Sequence, residues 1–149
     1  MEGYKQALSK NGISFERDLV RECGLMESDG YTAVKAWIKA GNLPTAIFAV
    51  NDPTAIGAMQ AMQEVGLRIG EDIAIVGAGN IHYGDMLSVP LTTVSWSRSE
   101  MGQSAMRLLV QLIEGGNGDA GNQKVRTDGA DAATVENRDF FDFGERQEA

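Results

Sequence analysis

The sequence predicts an α/β fold in which helices flank a mostly parallel sheet. A continuous apolar run of strand length stands at 45–50, and such a run is typical of a parallel strand that is buried on both faces. Further runs that predict strands stand at 73–76 and 91–94. Between these runs, apolar residues recur at helical spacing. Strands that alternate with helices in this way are typical of α/β proteins with a mostly parallel sheet.

The first part of the chain predicts a helix followed by a short strand. Residues 1–11 show an amphipathic pattern, and Gly12 suits the end of that helix. Residues 19–23 predict a strand, in which Cys23 would be a small buried core residue.

Capping residues predict two helices in the middle of the chain. Ser28 or Asp29 can cap a helix that Gly41 ends. Asp52 stands directly before Pro53, and this pair suits a helix start because Asp is a good N-cap and proline fits the first turn. Asp52 is therefore expected to be a structural cap.

The last part of the chain predicts a fourth helix, a loop and one more strand. Ser97 or Ser99 opens the helix. Residues 115–122 are rich in glycine and polar residues, which predicts a loop, and residues 134–137 predict a strand.

Composition excludes several functional classes. The 21 acidic and 13 basic residues give a formal net charge of -8, which argues against a grip on DNA or an anionic membrane by this chain itself. The one cysteine, Cys23, excludes an internal disulfide framework, and the one histidine, His82, excludes a histidine-cluster metal site. Since a catalytic set cannot be assembled, we expect no enzyme, metal or cofactor. Apolar runs are too short to span a membrane, and the cytoplasm is the expected compartment.

Two residues at predicted strand ends are candidates for ligand binding, because open parallel sheets bind ligands at the carboxyl ends of their strands. Asn51 offers an acceptor and a donor, which suits a polyhydroxylated ligand, but it would equally suit a turn that bonds its own backbone. Trp96 suits either core filling or a flat platform for the face of a sugar or base.

The glycine-containing segment at 77–79 predicts a loop that needs small residues rather than a dinucleotide site. His82 stands where the dinucleotide pattern has its third glycine, and a long helix does not clearly begin there. His82 is expected to be an exposed loop residue.

Several blocks of the sequence, taken together, resemble the LacI/GalR family of bacterial transcription regulators. The two longest are TAIFAVNDPTAIGAMQAMQEVGLRIGEDIAIVG and VPLTTVSWSRSEMGQSAMRLL. The opening EGYKQALSKNGI and the helical segment ESDGYTAVKAWI fit the same family in the same order. The resemblance covers roughly residues 2–114.

This resemblance implies a periplasmic-binding-protein-like fold, of which the chain would supply the second lobe only, as a Rossmann-like three-layer sandwich. Residues 1–96 would form that C-terminal lobe. Residues 97–126 would belong to the first lobe in intact homologues and would be displaced or swapped here, and residues 127–149 would be a return strand and a frayed tail. DNA would be bound only through a helix-turn-helix domain outside this chain.

The resemblance also implies that a small, sugar-like effector binds between the lobes and controls DNA binding allosterically. Asn51 matches an asparagine that bonds effector hydroxyls, Leu25 matches a position that packs on the effector, and Trp96 matches a pocket position. Gly79 falls where many sugar-responsive members have an aspartate, and Asn80 would replace that carboxylate only in part. The family's effector-gripping arginine would fall one position before the first residue.

A homodimer is the third implication of the resemblance. Its interface would be an apolar, self-complementary patch formed by Ile56, Met59, Met62, Tyr83, Met86 and Leu87. Without the first lobe, the apolar stripe of the fourth helix loses its cover, so we expect this helix to pack on its own lobe or to exchange with a second chain; the stripe contains Leu108, Leu109 and Leu112.

Two alternatives remain open at this point. The sugar-binding component of an ABC transporter has the same architecture. A nucleotide-dependent α/β enzyme is less favoured, because the sequence lacks a convincing phosphate-binding loop and catalytic group.

Overall fold

A computed structural model of the chain describes residues 1–114 and 134–136. Its helices and strands follow in the order α1 (Glu2–Lys10), α2 (Glu27–Ala40), β1 (Ala46–Phe48), α3 (Asp52–Gln63), β2 (Ala74–Ala78), β3 (Thr92–Ser95), α4 (Arg98–Ile113) and β4 (Thr134–Glu136). Two 3-10 turns lie at Arg17–Leu19 and Gly84–Met86. The loop predicted at 115–122 and the predicted tail lie outside the described residues.

The sheet has the strand order β1-β2-β3-β4 and is parallel except at its last strand. Val76 pairs with Phe48 of β1 and with Thr92 of β3, both in parallel register. The strand predicted at 134–137 is confirmed as β4, which runs antiparallel to β3. The α/β fold with a mostly parallel sheet is thus confirmed. The carboxyl ends of β1, β2 and β3 meet at one edge of the sheet.

Helices α2 and α3 pack on each other, and their inner faces form the core with β2 and the residues around it. The core residues are Val34, Trp37, Ala49, Ala55, Ala58, Met59, Ala61, Met62, Ile73, Ile75 and Leu91. The side chain of Met62 is fully buried and that of Met59 nearly so. Both methionines are therefore core residues, and their predicted place in a dimer interface is wrong, since a side chain buried within one chain has no surface to offer another.

Strand β1 departs from the prediction that it is buried on both faces. Phe48 is 65% exposed and Val50 is also exposed. The reason is that no described element packs closely on the side chains at 46, 48 and 50, which line an open groove. A groove of about 740 Å³ instead separates β1 from Tyr4 of α1 and from the segment at 19–23.

The strand predicted at 19–23 is wrong, and so is the prediction that Cys23 is buried. The 3-10 turn is followed by chain that joins no sheet, and Cys23 is exposed. The indole N–H of Trp37 donates a 3.1 Å hydrogen bond to the carbonyl of Asp18, which holds this segment beside α2 instead of along β1. Partial desolvation, followed by the negative charge of Asp29, raises the pKa of the Cys23 thiol.

Helix α4 begins as one of the two predicted caps requires, because the hydroxyl of Ser97 accepts a 3.2 Å hydrogen bond from the Glu100 N–H. None of its residues is buried, and Leu109 and Leu112 are exposed. The expectation that this helix packs on its own lobe is therefore wrong, while its exchange with a second chain stays a prediction.

Within the described part of the chain, no helix is both long and apolar enough to cross a membrane.

Candidate functional site

The edge of the sheet where β1, β2 and β3 end brings together the residues that the sequence predicts for a ligand. We call this set the mouth, and it consists of Leu25, Asn51, Gly79, Asn80 and Trp96. Asn51 stands directly before α3, Gly79 and Asn80 follow β2, and Trp96 follows β3. Leu25 precedes α2 and is joined to Asn51 by a hydrogen bond.

Asn51 is the N-cap of α3, which confirms the structural interpretation of this residue. Its Oδ1 accepts a 2.9 Å hydrogen bond from the Thr54 N–H and also the Thr54 hydroxyl. Its Nδ2 donates a 2.9 Å hydrogen bond to the carbonyl of Leu25. An amide nitrogen carries two hydrogens, so this contact leaves one for a ligand oxygen. The cap and the ligand contact are therefore compatible in one side chain.

Asp52 is structural, but the prediction that it caps α3 is wrong. Its side chain is only 1% exposed and turns inward, away from the helix end. One carboxylate oxygen accepts a 2.6 Å hydrogen bond from the Thr93 hydroxyl, and the other accepts a 2.7 Å bond from the Ile81 N–H. Because Asn51 already caps the helix, Asp52 is left to join α3 to β3 and to the chain that follows β2.

The segment at 77–79 requires small residues, as the sequence predicts, but the predicted loop begins only at Gly79, because Gly77 and Ala78 are the last residues of β2. A Cβ on Gly77 would lie 2.3 Å from Oδ1 of Asp52, so no side chain fits there without displacing the carboxylate. Gly79 has φ +128°, and Asn80 has φ +52°, a left-handed conformation that asparagine tolerates better than most residues. The mouth therefore contains a tight, strained loop instead of a helix start.

Trp96 is 45% exposed beside this loop, so a face or edge of its ring is open to solvent. The Cη2 atom of its ring lies 4.0 Å from the point that a Cβ on Gly79 would occupy. Leu25 is exposed as well. Both exposures agree with ligand-contacting roles, which stay predictions. His82 is exposed as predicted, with its ring edge-to-face against Tyr83.

Sequence reasoning missed two residues that shape the mouth. The guanidinium of Arg98 donates hydrogen bonds to the carbonyls of Gly79 and Asn80. The Thr93 hydroxyl accepts a 3.3 Å hydrogen bond from the Asn80 N–H. A basic residue two positions after Trp96 was the available signal for Arg98, whereas a threonine inside a strand carries none.

The chemistry of the mouth is that of binding. It offers an amide donor and an aromatic surface, and the guanidinium of Arg98 lies beside it, bonded to backbone carbonyls. Among residues 1–114 and 134–136, no three histidine, cysteine or acidic side chains stand close enough to hold a metal ion.

Comparison with known proteins agrees with this architecture. Residues 1–129 match the model of the periplasmic binding protein-like domain. The chain is 40% identical over 112 residues to the HTH-type transcriptional repressor PurR of Pasteurella multocida, a match that covers 75% of this chain and 34% of the relative. It is 34% identical over 117 residues to the ribose operon repressor of Haemophilus influenzae, covering 78% of this chain and 35% of the relative. The chain thus spans about a third of the length of these curated relatives.

Solved structures show the same likeness. A LacI-type transcription regulator from Bifidobacterium animalis subsp. lactis superimposes with a TM-score of 0.72 at 30% identity, over 78% of this chain and 42% of that one. A LacI family transcriptional regulator from Enterococcus faecium with bound ribose superimposes with a TM-score of 0.69 at 29% identity, over 79% of this chain and 43% of that one.

All four proteins are named as transcription regulators rather than as enzymes, which agrees with the expectation that this chain is not an enzyme. The family model covers more than half of the chain, and the resemblance seen in the sequence is confirmed. The chain therefore belongs to the family of periplasmic binding protein-like domains and, within it, to the effector-binding domains of LacI/GalR-type regulators.

Proposed function

We propose that this chain is the effector-sensing part of a LacI-type transcription regulator and that its mouth binds a small, sugar-like effector. The arrangement of the mouth carries the proposal, because polar Asn51 and half-exposed Trp96 stand at the carboxyl ends of parallel strands, where such folds bind ligands. The bound ribose of the Enterococcus faecium neighbour supports the choice of ligand class.

The regulatory part of the proposal is allosteric. An effector that prefers one arrangement of two lobes shifts the population toward that arrangement, and a helix-turn-helix domain outside this chain would convert the shift into a change of operator affinity. An in-frame helix-turn-helix sequence upstream of Met1 in the genome would support a regulator. A secretory leader there would instead favour the transporter component.

NMR titration of the isotopically labelled chain with D-ribose tests the ligand. We expect the backbone amides of Gly79 and Asn80 and the Trp96 indole N–H to shift at millimolar ribose, since half of a two-lobed site binds weakly. Shifts confined to residues far from the mouth, or none at all, would contradict the proposed ligand.

Asn51→Asp separates the ligand contact from the cap. Aspartate keeps the oxygen that caps α3 but loses the amide donor, and with it the hydrogen bond to the Leu25 carbonyl as well as the bond to the ligand. The loss of one hydrogen bond to the ligand should raise the Kd for ribose roughly five- to tenfold. Asn42→Asp is the matched control, because it adds the same charge at an exposed position. Asn42 lies just after the end of α2, whereas the mouth lies at its start. Equal affinities in both variants would remove Asn51 from the site.

We also propose that the chain forms a homodimer through the exposed and half-buried residues of the predicted patch: Ile56, Tyr83, Met86 and Leu87. Met86 is 82% exposed, so Met86→Asp should abolish dimers in sedimentation equilibrium without a loss of folding. Met106→Asp on α4 tests the other exposed apolar surface. Dimers that resist the first change and yield to the second would place the contact on α4.

A further inference from the structure

The buried carboxylate of Asp52 joins two segments that meet beneath the mouth. Its oxygens are divided between them, one accepting from the side chain of Thr93 in β3 and the other from the backbone of Ile81 after β2. Both bonds are short, as hydrogen bonds to a charged acceptor generally are. A buried carboxylate that serves two segments in this way opposes movement of either one.

The Thr93 hydroxyl extends this network by one residue. It donates to Asp52 and accepts from the Asn80 N–H, so its hydrogen and one of its lone pairs are both used. The N–H groups of Asn80 and Ile81 thus both depend on Asp52, one directly and one through Thr93. These two hydrogen bonds lie on either side of the Asn80 backbone and hold its left-handed conformation.

Arg98 holds the same loop from its other side. Its guanidinium donates to the carbonyls of Gly79 and Asn80. Thr93 accepts from the N–H of Asn80, and Asp52 accepts from the N–H of Ile81. The absence of a side chain at Gly77 leaves the space that the carboxylate occupies. The loop at 79–81 is therefore held by its backbone, and its position follows from that of Asp52.

We propose that Asp52 is a positioning residue of the effector site. It fixes the position of the loop at 79–81, which lies beside the ring of Trp96. The proposal rests on the proposed function only in naming the mouth as the effector site. Asp52 is itself too deeply buried to touch a ligand. Its effect on binding is transmitted through Thr93 and the backbone of the loop.

Amide hydrogen exchange measured by NMR on the 149-residue chain tests the positioning directly. In Asp52→Asn, we expect exchange at Asn80 and Ile81 to accelerate about tenfold or more, because charge-assisted bonds are lost. The amide of Ala49, which donates to the carbonyl of Val76 inside the sheet, serves as the internal reference and should not change. Equal acceleration of all three amides would show a role in overall stability only and would overturn the proposal.

Thr93 supplies a second pair of variants in case Asp52→Asn does not fold. Thr93→Val keeps the shape and removes the hydroxyl, so it should reproduce the faster exchange at Asn80. Thr93→Ser keeps the hydroxyl and should restore the slow exchange of the parent chain. Fast exchange in the serine variant, or slow exchange in the valine variant, would contradict a role for the hydroxyl network.

Fluorine NMR of the chain labelled with 5-fluorotryptophan reports on the surroundings of Trp96 in the mouth. In Asp52→Asn and Thr93→Val, the resonance of Trp96 should shift while that of buried Trp37 stays in place. Where the parent chain binds D-ribose, both variants should raise its Kd and Thr93→Ser should not. Failure of the parent chain to bind ribose would contradict the proposed ligand alone, because exchange and fluorine shifts still decide the role of Asp52.

Discussion

Replacement of Gly57 by alanine should separate α2 from α3. The two helices cross so closely that a Cβ on Gly57 would lie 1.8 Å from the carbonyl oxygen of Glu27, and a Cβ on Gly30 would lie 2.0 Å from that of Thr54. Real Cβ contacts are essentially never shorter than 3.0 Å, so the helices must part by at least the difference between 3.0 and 1.8 Å. A backbone oxygen cannot escape by changing rotamer.

The free-energy change follows from this displacement. A forced backbone shift in a well-packed core costs about 3 kcal/mol at the upper end of the usual range. Alanine returns about 1 kcal/mol of helix propensity, which leaves a net loss of about 2 kcal/mol of unfolding free energy. For a domain of this size such a loss lowers the Tm by roughly 8 °C. The displacement should also weaken the hydrogen bond from Asn51 to Leu25, because it joins the starts of the two helices.

Urea unfolding followed by circular dichroism measures the loss, and Gly102→Ala is the matched control. Gly102 lies within α4, and a Cβ there would meet nothing within 4 Å. The control should therefore unfold at the same or a higher urea concentration than the parent chain. A Gly57→Ala chain that matches the parent in both midpoint and slope would refute the close approach of α2 and α3.

Three further changes test other parts of the structure. Met62→Ala should lower the unfolding free energy by roughly 2–5 kcal/mol, because the side chain is fully buried and leaves a cavity; an unchanged urea midpoint would place Met62 at the surface. Leu109→Lys on exposed α4 should change that free energy by less than about 0.5 kcal/mol in the same assay, and a larger loss would show that α4 packs on the lobe. The hydroxyl of Tyr31 donates a 2.7 Å hydrogen bond that lowers the pKa of Glu64, so Tyr31→Phe should raise this pKa toward the ordinary value in a carboxyl-detected NMR titration. Because the pKa of Glu64 is lowered in the folded state, its contact stabilises the fold at pH values above the ordinary pKa, and this stabilisation is lost as the pH falls through the lowered pKa. A Glu64 pKa that does not move in the variant would contradict the contact.

The local sequence determined the order and kind of most elements. The apolar runs became β1, β2 and β3, and the helical spacings became α1 to α4. Gly41 ends α2 in a left-handed conformation, and Ser97 caps α4. These features depend on hydrogen bonds and backbone preferences within a few residues, which a short stretch of sequence specifies.

The tertiary structure decided the roles of residues that have two local uses. Asn51 and Asp52 are both good caps, and only the positions of Thr93 and Ile81 make Asp52 turn inward. The run at 19–23 has strand character, yet it joins no sheet, because Asp18 directly before it is bound to Trp37 of α2. Phe48 lies in an apolar run but is exposed because its side chain lines an open groove. Contacts between residues far apart in the chain decide which segments pack together. A local sequence pattern does not specify those contacts.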